Sequence, residues 1–500
     1  MADNVIRYAG FPTAVMYKQP VARKRVGKEP CQHLLWGDWL KLTGNQQSGW
    51  VEVFGRKARG WVHQDFLQQQ PLLRITFVDI GQGDGCLVST PADQHILVDA
   101  GEGDNMFRFL RWKFGRFRKP FRFEAAIISH PDSDHYRGFD MLFDEPNVSF
   151  GTVYHNGIVE RKAASATQSL GRLVAAGGQR FLMEVVPDHA GLVNLLNQPA
   201  KIAGKQYAVM LKKALDAGRV GAFRMLSVAD GYLPGYGPND PLQIQVLGPV
   251  VEPTAAGEPR LRWFGDPGKT KNGHSVVLRL KYGHVSVLLG GDLNIPAEHH
   301  LLAHHTGLPT PPAEDQEALF LRASRKVFES DVAKACHHGS ADFSDLFLRS
   351  VNPIATVISS GDDEAYSHPR ADSLGAVGRH SRGTRPLIFS TELARSAKET
   401  VKHPSVLRQQ LRELEKAVED ASTAAAKEKA RAKLDRFHTQ VLDRSIAVYG
   451  AINVCTDGTR VVIAQKIEQP RALDKKWDFY TLEPDDSGDL RFVSKYQGVS

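Results

Sequence analysis

The apolar and polar positions of this chain predict short buried strands that each end in a polar loop. The clearest is the apolar run 125–128, which leads directly to His130, Asp132, Asp134 and His135. In an extended loop, residues two apart point the same way, so His130 and Asp132 can share one metal ion while Asp134 and His135 serve a second. Burying these side chains without cations would be costly, which favours a metal site over an ordinary polar surface loop.

Other predicted strands end in the same kind of side chain. The apolar runs 72–79 and 96–99 lead to Asp84 and Asp99, at the strand edge where α/β proteins place their sites. Either aspartate could simply cap a turn, but we expect both to orient metal ligands by contacting the ligand side chains rather than the metal. The later part of the chain adds further candidates next to predicted strands: His274, Asp292, His337, His338 and His368. Together these strand ends predict a metal centre far more strongly than any one of them does.

The N-terminal residues 1–70 alternate apolar and polar side chains over short segments, which predicts a small β-barrel. The spacing of its glycine, aspartate and tryptophan residues resembles the bacterial SH3 family. Such domains bind peptides, glycans or a neighbouring domain, so the resemblance implies a peptide or protein partner. Its tryptophans either line a groove or fill the barrel core: Trp36, Trp39, Trp50 and Trp61.

Residues 107–123 combine cations with aromatic side chains and contain no acid. Cations can neutralise phosphates and aromatic rings can stack on bases, so the segment predicts nucleic-acid binding. An amphipathic helix with buried aromatic rings and solvated arginines is the alternative. The predicted nucleic-acid contacts are Arg108, Arg111, Lys113, Arg116, Arg118 and Lys119.

Composition narrows the class of protein. The chain has 500 residues, of which 42% are hydrophobic and 24% charged, as expected for a soluble globular protein with more than one domain. No apolar run approaches the roughly 18 residues of a membrane span, and no signal peptide is evident at the N-terminus. The scattered cysteines predict reduced thiols and a cytoplasmic location. The net charge of +7 tolerates a polyanionic substrate.

Short motifs stand in a characteristic order along residues 72–467: 78–84, 96–101, 130–135, 291–292, 337–340 and 367–369. Their joint order resembles the metallo-β-lactamase superfamily, and most closely the hydrolase domain of the ComEC competence proteins. The resemblance implies an α/β fold, an αββα sandwich of two facing β-sheets with helices outside and a metal site at one edge. The implied organisation is an SH3-like barrel (1–70), a hydrolase domain (71–470) with a helical insertion at about 405–443, and a polar C-terminal tail (471–500). The residue pattern also predicts a β-hairpin at 446–467 and a further one at 477–493 within the tail.

The resemblance also implies two divalent metal ions and their ligands. The implied ligand set is His130, Asp132, Asp134, His135, His274, Asp292 and His368. His338 is the alternative to His368 as the last metal ligand. If His368 is the ligand, His338 would protonate the leaving group. The candidate catalytic residues are therefore Asp134, Asp292 and His338. Asp132 stands where the family usually has a histidine, and this oxygen ligand moves the preference from Zn²⁺ towards Mn²⁺ or Mg²⁺.

Two neighbouring cations can activate a water molecule and stabilise the attacking and leaving oxygens of a phosphodiester. The predicted function is therefore a metal-dependent phosphodiesterase, specifically a nuclease. Hydrolysis of a small phosphoester or a nucleotide messenger, hydrolysis of an amide, and a metal-stabilised adaptor without activity are the alternatives. Steep salt dependence of DNA binding, lost on replacing Arg116 and Arg118, would separate the nuclease from an enzyme with a small substrate.

Overall fold

The structure is a computed structural model that describes residues 5–20, 29–81, 83–361, 367–383, 385–391, 404–443 and 450–494. Gln82 of the motif 78–84, the start of the hairpin predicted at 446–467, and residues 495–500 of the predicted tail lie outside this described part. Within it, no helix is both long enough and apolar enough to cross a membrane.

The N-terminal domain is an antiparallel sheet with its own apolar core. Its strands are β1 (Ile6–Ala9), β2 (Thr13–Tyr17), β3 (Pro30–Leu35), β4 (Trp39–Gln47), β5 (Trp50–Gly55), β6 (Ala58–His63) and β7 (Leu67–Gln68). They pair in the order β3-β2-β6-β5-β4-β1-β7. Trp36 is fully buried where this domain packs on the large sheet, whereas Trp39 remains half exposed. The likeness to SH3 domains stays a prediction.

Two larger sheets and a three-stranded sheet follow. The strands are β8 (Leu73–Phe77), β9 (Gly85–Ser89), β10 (His95–Ala100), β11 (Phe121–Ile127), β12 (Val148–His155), β13 (Leu173–Ala176), β14 (Gln179–Leu182), β15 (Val220–Met225), β16 (Leu242–Gly248), β17 (Leu261–Arg262), β18 (Val277–Tyr282), β19 (Val285–Leu289), β20 (Val332–Lys334), β21 (Ala355–Ile358), β22 (Leu387–Ser390), β23 (Ile452–Thr456), β24 (Val461–Lys466), β25 (Trp477–Pro484) and β26 (Leu490–Val493). The three-stranded sheet has the order β13-β14-β17.

The helices are α1 (Asn105–Lys113), α2 (Ser133–Tyr136), α3 (Phe139–Asp144), α4 (Ala166–Leu170), α5 (His189–Leu196), α6 (Pro199–Ile202), α7 (Gln206–Asp216), α8 (Pro267–Gly273), α9 (Ile295–Thr306), α10 (Glu317–Phe328), α11 (Asp345–Val351), α12 (Ala371–His380), α13 (Pro404–Glu419) and α14 (Ala424–Asp443). The helical insertion predicted at about 405–443 thus consists of α13 and α14.

The two larger sheets pack face to face, as predicted for an αββα sandwich. The ten-stranded sheet has the order β15-β12-β11-β10-β9-β8-β23-β24-β25-β26, and the six-stranded sheet the order β16-β18-β19-β20-β21-β22. A continuous apolar core between them includes Ile75 and Ile127 of the first sheet and Leu278 and Val287 of the second. Helices α1, α3, α5 and α7 cover the outer face of the larger sheet, and α9, α10 and α11 cover that of the smaller one.

The C-terminal region forms the hairpin predicted at 477–493. β25 pairs with β24 and β26 pairs with β25, so this hairpin extends the ten-stranded sheet. The side chains of Leu482 and Leu490 enter the core between the sheets. The segment is therefore an integral part of the sandwich.

Candidate metal centre

The ends of strands from both sheets supply the side chains of the site. In the larger sheet, β10 and β11 are parallel neighbours, and the loop after β11 leads into α2, which carries Asp134 and His135. In the smaller sheet, β19 and β20 are parallel, and Asp292 and His338 follow them. Parallel neighbours end at the same edge, so each sheet delivers its polar residues to one place.

These four side chains converge on a single point. Nε2 of His338 lies 3.1 Å from Oδ2 of Asp292 and 3.4 Å from Oδ2 of Asp134. Nε2 of His135 lies 3.2 Å from the same Asp292 oxygen and 3.9 Å from the Asp134 oxygen. Ligand atoms about 2.0–2.1 Å from a tetrahedral zinc ion would be about 3.3 Å apart. The spacing therefore suits a divalent metal ion.

The chemistry of the four groups also fits a metal. Nε2 of His135 and Nε2 of His338 are buried and make no hydrogen bond of good geometry with any described residue. Burial alone would lower the pKa of both histidines, but the nearby carboxylates, Asp292 foremost, raise it well above its ordinary value. The cluster therefore attracts positive charge, which a divalent cation would supply in place of the protons.

Neighbouring groups fix the orientation of both imidazoles. Nδ1 of His135 donates to Oδ2 of Asp99 at 2.9 Å, and the backbone N–H of Ser129 donates to the other oxygen of Asp99 at 2.7 Å. Nδ1 of His338 donates to the carbonyl of Ser359 at 3.0 Å and lies 3.2 Å from Oδ1 of Asp84. With the proton held on Nδ1, each ring presents the lone pair of Nε2 to the cluster. Asp84 and Asp99 thus occupy the positions expected of orienting residues.

Lys334 is a site residue that the sequence reasoning passed over. Its buried ammonium forms an ion pair with Asp84, donates to the Gly291 carbonyl at 2.9 Å and lies 3.5 Å from Oδ1 of Asp292. Burial opposes charge on both partners, yet pairing lowers the pKa of Asp84 and raises that of Lys334. The sequence does carry a signal for this residue: Lys334 ends an apolar strand, and a buried lysine requires an acidic partner.

The backbone at the site adopts conformations that few residues tolerate. Asp99, His337 and His338 have φ values of 58°, 48° and 54°, which place them in the left-handed region. Gly83 also has a positive φ, and a Cβ there would lie 1.8 Å from the Asp134 carbonyl oxygen. Such strained residues persist only where the surrounding structure enforces them, and they cluster at functional sites.

The pair His130 and Asp132 lies beside the cluster but has a different neighbourhood. The rings of His130 and His135 are 4.1 Å apart, and Nε2 of His130 lies 3.6 Å from Oδ2 of Asp132. The other oxygen of Asp132 pairs with Lys271 of α8. Burial would raise the pKa of Asp132, but His130 and Lys271 lower it to about 2. A second metal ion held by this pair would have to compete with Lys271.

Two further predicted ligands, His274 and His368, also lie outside the four-residue cluster. The Nε2–H of His274 donates to the Arg262 carbonyl at 2.7 Å, and its ring stacks on Phe264. Burial lowers the pKa of His274 to about 3, as expected for a neutral core histidine. The ring of His368 lies 6.2 Å from that of His338, and it is His338 that faces Asp134 and Asp292. The geometry thus favours the alternative assignment in which His338 is the ligand.

The basic aromatic segment 107–123 lies largely away from this edge. Three aromatic rings of the segment are buried in the core between α1 and the large sheet: Phe109, Phe117 and Phe123. Four others are partly buried and pack against that core: Phe107, Trp112, Phe114 and Phe121. The ring of His95, at the start of β10, contacts Phe114 and Phe121. The metal cluster is at the opposite end of β10 and β11, about 20 Å away for strands of this length. The rings therefore support the amphipathic-helix alternative.

The cationic side chains of the segment contact residues away from the metal edge. Arg116 pairs with Asp435 of α14, and Nη2 of Arg118 lies 3.8 Å from Oδ2 of the same aspartate. The guanidinium of Arg111 lies 5.4 Å from the Phe107 ring centre, and Lys113 faces a cavity beside the N-terminal domain. Proximity in sequence to the loop 130–135 suggested nucleic-acid contacts, but β11 carries the chain from one edge of the sheet to the other. The geometry gives this prediction no support at the metal edge.

Comparison with known proteins places just over half of the chain in a described family. Residues 80–339, just over half of the chain, match the family model of the metallo-β-lactamase superfamily. Over 325 residues the chain is 24% identical to ComE operon protein 3 of Bacillus subtilis, a match that covers 61% of this chain and 31% of that protein. The matched region is thus under a third of that relative's length.

Similar solved structures are more distant. One is a metal-dependent hydrolase of the β-lactamase superfamily, with 14% identity, a TM-score of 0.31 and coverage of 64% of this chain and 95% of that one. Another, from Parabacteroides distasonis, is described as a metal-dependent hydrolase, with 12% identity, a TM-score of 0.27 and coverage of 64% and 92%.

Proposed function

The chain belongs to the metallo-β-lactamase superfamily of metal-dependent hydrolases, and from that premise we propose that it hydrolyses phosphodiester bonds. The observation that carries the proposal is the convergence of Asp134, His135, Asp292 and His338, with two buried Nε2 atoms aimed at one point. A purely structural site of this kind would be closed by its four ligands, but Asp134 is partly exposed and leaves the cluster open to substrate.

The mouth of the site favours an anionic substrate. The half-buried Lys271 pairs with Asp132 beside the cluster, and the exposed Arg370 donates its backbone N–H to the Gly339 carbonyl, next to His338. A phosphodiester carries a negative charge that these groups attract, whereas a neutral amide does not. This difference supports phosphodiester over amide hydrolysis.

Each residue of the site has a distinct role in the proposed reaction. A bound divalent metal would act as a Lewis acid and lower the pKa of a water molecule. Asp134, His135, Asp292 and His338 hold that metal. Asp99 keeps the proton of His135 on Nδ1, Lys334 balances the buried carboxylates, and His368 lies beside the site as the candidate proton donor to the leaving oxygen.

We propose one metal at the four-residue cluster and a second at His130 and Asp132 only when Lys271 withdraws. This revises the expectation of two bound metal ions, because His274 supplies no third ligand to the position at His130 and Asp132. Mn²⁺ and Zn²⁺ are the candidate ions, with Mg²⁺ the third choice for so nitrogen-rich a site.

The position of the basic segment makes a small phosphodiester, such as a nucleotide messenger, the second candidate substrate. Arg116 and Arg118 lie at the sheet end away from the metal cluster, where they cannot hold a nucleic-acid strand at the scissile bond. Nuclease activity would instead depend on the cations at the mouth of the site. A cytoplasmic location, in keeping with four free thiols, and a peptide partner for the N-terminal domain complete the proposal.

The test compares metal-loaded protein with Asp134→Asn on single-stranded DNA, double-stranded DNA and bis(p-nitrophenyl) phosphate. We expect metal-dependent cleavage that Asp134→Asn abolishes while the circular dichroism spectrum stays unchanged. The matched control is Asp486→Asn, an exposed carboxylate remote from the site, which should keep full activity. Cleavage of the small ester alone would select the second candidate. Bound metal with no turnover of any phosphodiester would refute the proposal and favour an adaptor.

A further inference from the structure

A cavity of about 480 Å³ lies where the N-terminal domain meets the large sheet. We call it the junction cavity. The β3–β4 turn and the β5–β6 turn of the N-terminal domain form one wall, the C-terminal half of α1 forms another, and the starts of β8 and β25 complete it. Its volume lies within the range of small-molecule sites in proteins.

The junction cavity is separate from the metal centre. The strand register aligns Arg74 of β8 with Ser89 of β9, and Ser89 with His95 of β10, so Arg74 lies in the row at the start of β10. Asp99 and the metal cluster lie at the other end of that strand. A ligand in the junction cavity therefore does not touch the metal ligands.

The lining of the cavity has a surplus of positive charge. It includes two acids, Asp38 and Glu468, and the cations Arg56, Lys57, Arg74, Lys113, Lys466 and Lys476. Asp38 is shared between two guanidiniums, since its Oδ1 accepts from Arg56 at 2.8 Å and from Arg74 at 3.2 Å. One carboxylate thus serves two arginines, and neither Lys113 nor Lys476 forms a hydrogen bond with it in the described part of the chain.

Two of the lysines lack an acidic partner. Lys113 forms no ion pair with any described residue, and Lys476 donates to the neutral amide oxygen of Gln32 at 2.7 Å. Burial lowers the pKa of Lys113 to about 8, with Arg74 contributing, and burial also lowers that of Lys476. Holding uncompensated ammonium groups in a partly closed cavity is unfavourable, and an anion would relieve that cost.

The same cavity presents aromatic faces. Trp39 is 47% exposed although it lies at the start of a strand, and Trp112 of α1 is half-buried on another wall. Trp477 is not available in this way, because the Arg56 guanidinium lies 4.9 Å from its ring centre. Exposed indole rings next to unpaired cations are the features that bind a planar base and its phosphate.

We propose that the junction cavity binds a nucleotide, with the phosphate at Lys113 and Lys476 and the base against Trp39 or Trp112. The two domains both contribute to the site, so a bound nucleotide stabilises the N-terminal domain against the hydrolase domain. The proposal is independent of the hydrolytic function, because it involves none of the residues at the metal edge.

The test is calorimetric titration of the full-length protein with AMP and GMP, after chelation of metals and in the Asp134→Asn background. Adenosine and inorganic phosphate are titrated separately. We expect saturable binding of a nucleotide, with adenosine and phosphate each binding at least about tenfold more weakly because each lacks one half of the recognition. Trp39→Ala should weaken nucleotide binding by about 5- to 100-fold, and Lys113→Met by about tenfold or more.

Matched variants control for nonspecific effects. Phe66, which is 46% exposed in the same domain but outside the cavity, controls for Trp39 as Phe66→Ala. Lys119, exposed in the same segment as Lys113, controls for it as Lys119→Met. Absence of saturable nucleotide binding, equal binding of phosphate alone, or equal weakening by the control variants would each overturn the proposal. Melting temperatures near that of the wild type show that the variants remain folded.

Discussion

The metal centre and the junction cavity lie at opposite ends of the same strands and have opposite charge imbalances. The metal edge holds four aspartates, Asp84, Asp99, Asp134 and Asp292, and one buried ammonium, that of Lys334, which pairs with Asp84 and lies 3.5 Å from Oδ1 of Asp292. At the junction, the buried carboxylate of Asp38 serves two arginines, while Lys113 and Lys476 form no ion pair with a described acid. One end requires more cations and the other requires an anion.

The difference shows how buried charge indicates a ligand. A charged side chain taken out of water needs a partner, and a fold that does not supply one within the chain leaves a site for a bound ion or molecule. At the metal edge the missing partner is a divalent cation, because imidazole and carboxylate groups converge there. At the junction the missing partner is an anion, and the adjacent indole rings favour an anion that carries a planar base.

The strongest test of this comparison removes one ammonium from each end. Lys334→Met leaves the carboxylates of Asp84 and Asp292 buried without their cation, and removing one partner of a buried ion pair costs about 3–5 kcal/mol. We expect that loss in the free energy of unfolding of chelated protein, measured in urea. Added metal should restore part of it, because it replaces the lost positive charge beside Asp292.

The same substitution at the other end is the matched control. Lys113→Met removes an ammonium that has no acidic partner among the described residues, so the free energy of unfolding should stay unchanged or rise slightly. Equal destabilisation by Lys334→Met and Lys113→Met would contradict the contrast between the two regions.

Glu298 of α9 tests whether every buried carboxylate behind the metal edge is paired with a cation. It is 1% exposed, and its only hydrogen bond from a described residue comes from the Ser344 N–H at 2.6 Å. Burial raises its pKa from 4.5 to about 8, with Asp342 adding to the effect. The folded protein therefore holds a proton that the unfolded chain releases, and stability should fall as the pH rises from about 4.5 to about 8.

The measurement is the free energy of unfolding of the wild type and of Glu298→Gln between pH 5 and pH 8. Glutamine keeps the acceptor for Ser344 and cannot ionise, so the variant should lack this part of the pH dependence, on the order of a few kcal/mol. Identical pH profiles for the two proteins would mean that Glu298 is charged at neutral pH and has a cationic partner.

A smaller effect is expected from the residue that orients His135. Asp99→Asn keeps the shape and tolerates the φ of 58°, but its amide can present an N–H to Nδ1 of His135. The histidine proton would then move to Nε2 and block the metal-binding lone pair. We expect metal affinity to fall about 10- to 100-fold, measured by titration with a competing chelator.

Asp486→Asn serves as the control for this variant and should bind metal as the wild type does. Wild-type affinity in Asp99→Asn would show that Asp99 does not set the tautomer. Metal affinity would then depend only on the residues that bind the metal directly.

The local pattern of apolar residues predicted the strands and the site residues that follow them, because a buried strand must be apolar along its own length. A strand with both faces covered carries a run of apolar residues, as β11 does at 125–127 and β19 does at 287–289, so its end is visible in the sequence. Asp134, His135, Asp292 and His338 all follow such ends. The motif order predicted the superfamily and the αββα sandwich, and the family match confirms both. The same pattern predicted the hairpin at 477–493, but the polar composition around it gave no sign that the hairpin extends the large sheet.

The tertiary structure alone decided which of these residues share a point in space. Strand order and register are set by contacts between residues far apart in sequence, and no local pattern encodes them. They place His338 rather than His274 in the cluster, insert Lys334 between two carboxylates, and carry the basic segment to the far end of the sheet. The sequence by itself determined which chemical groups the chain carries and at which strand ends; packing of the two sheets determined which groups meet.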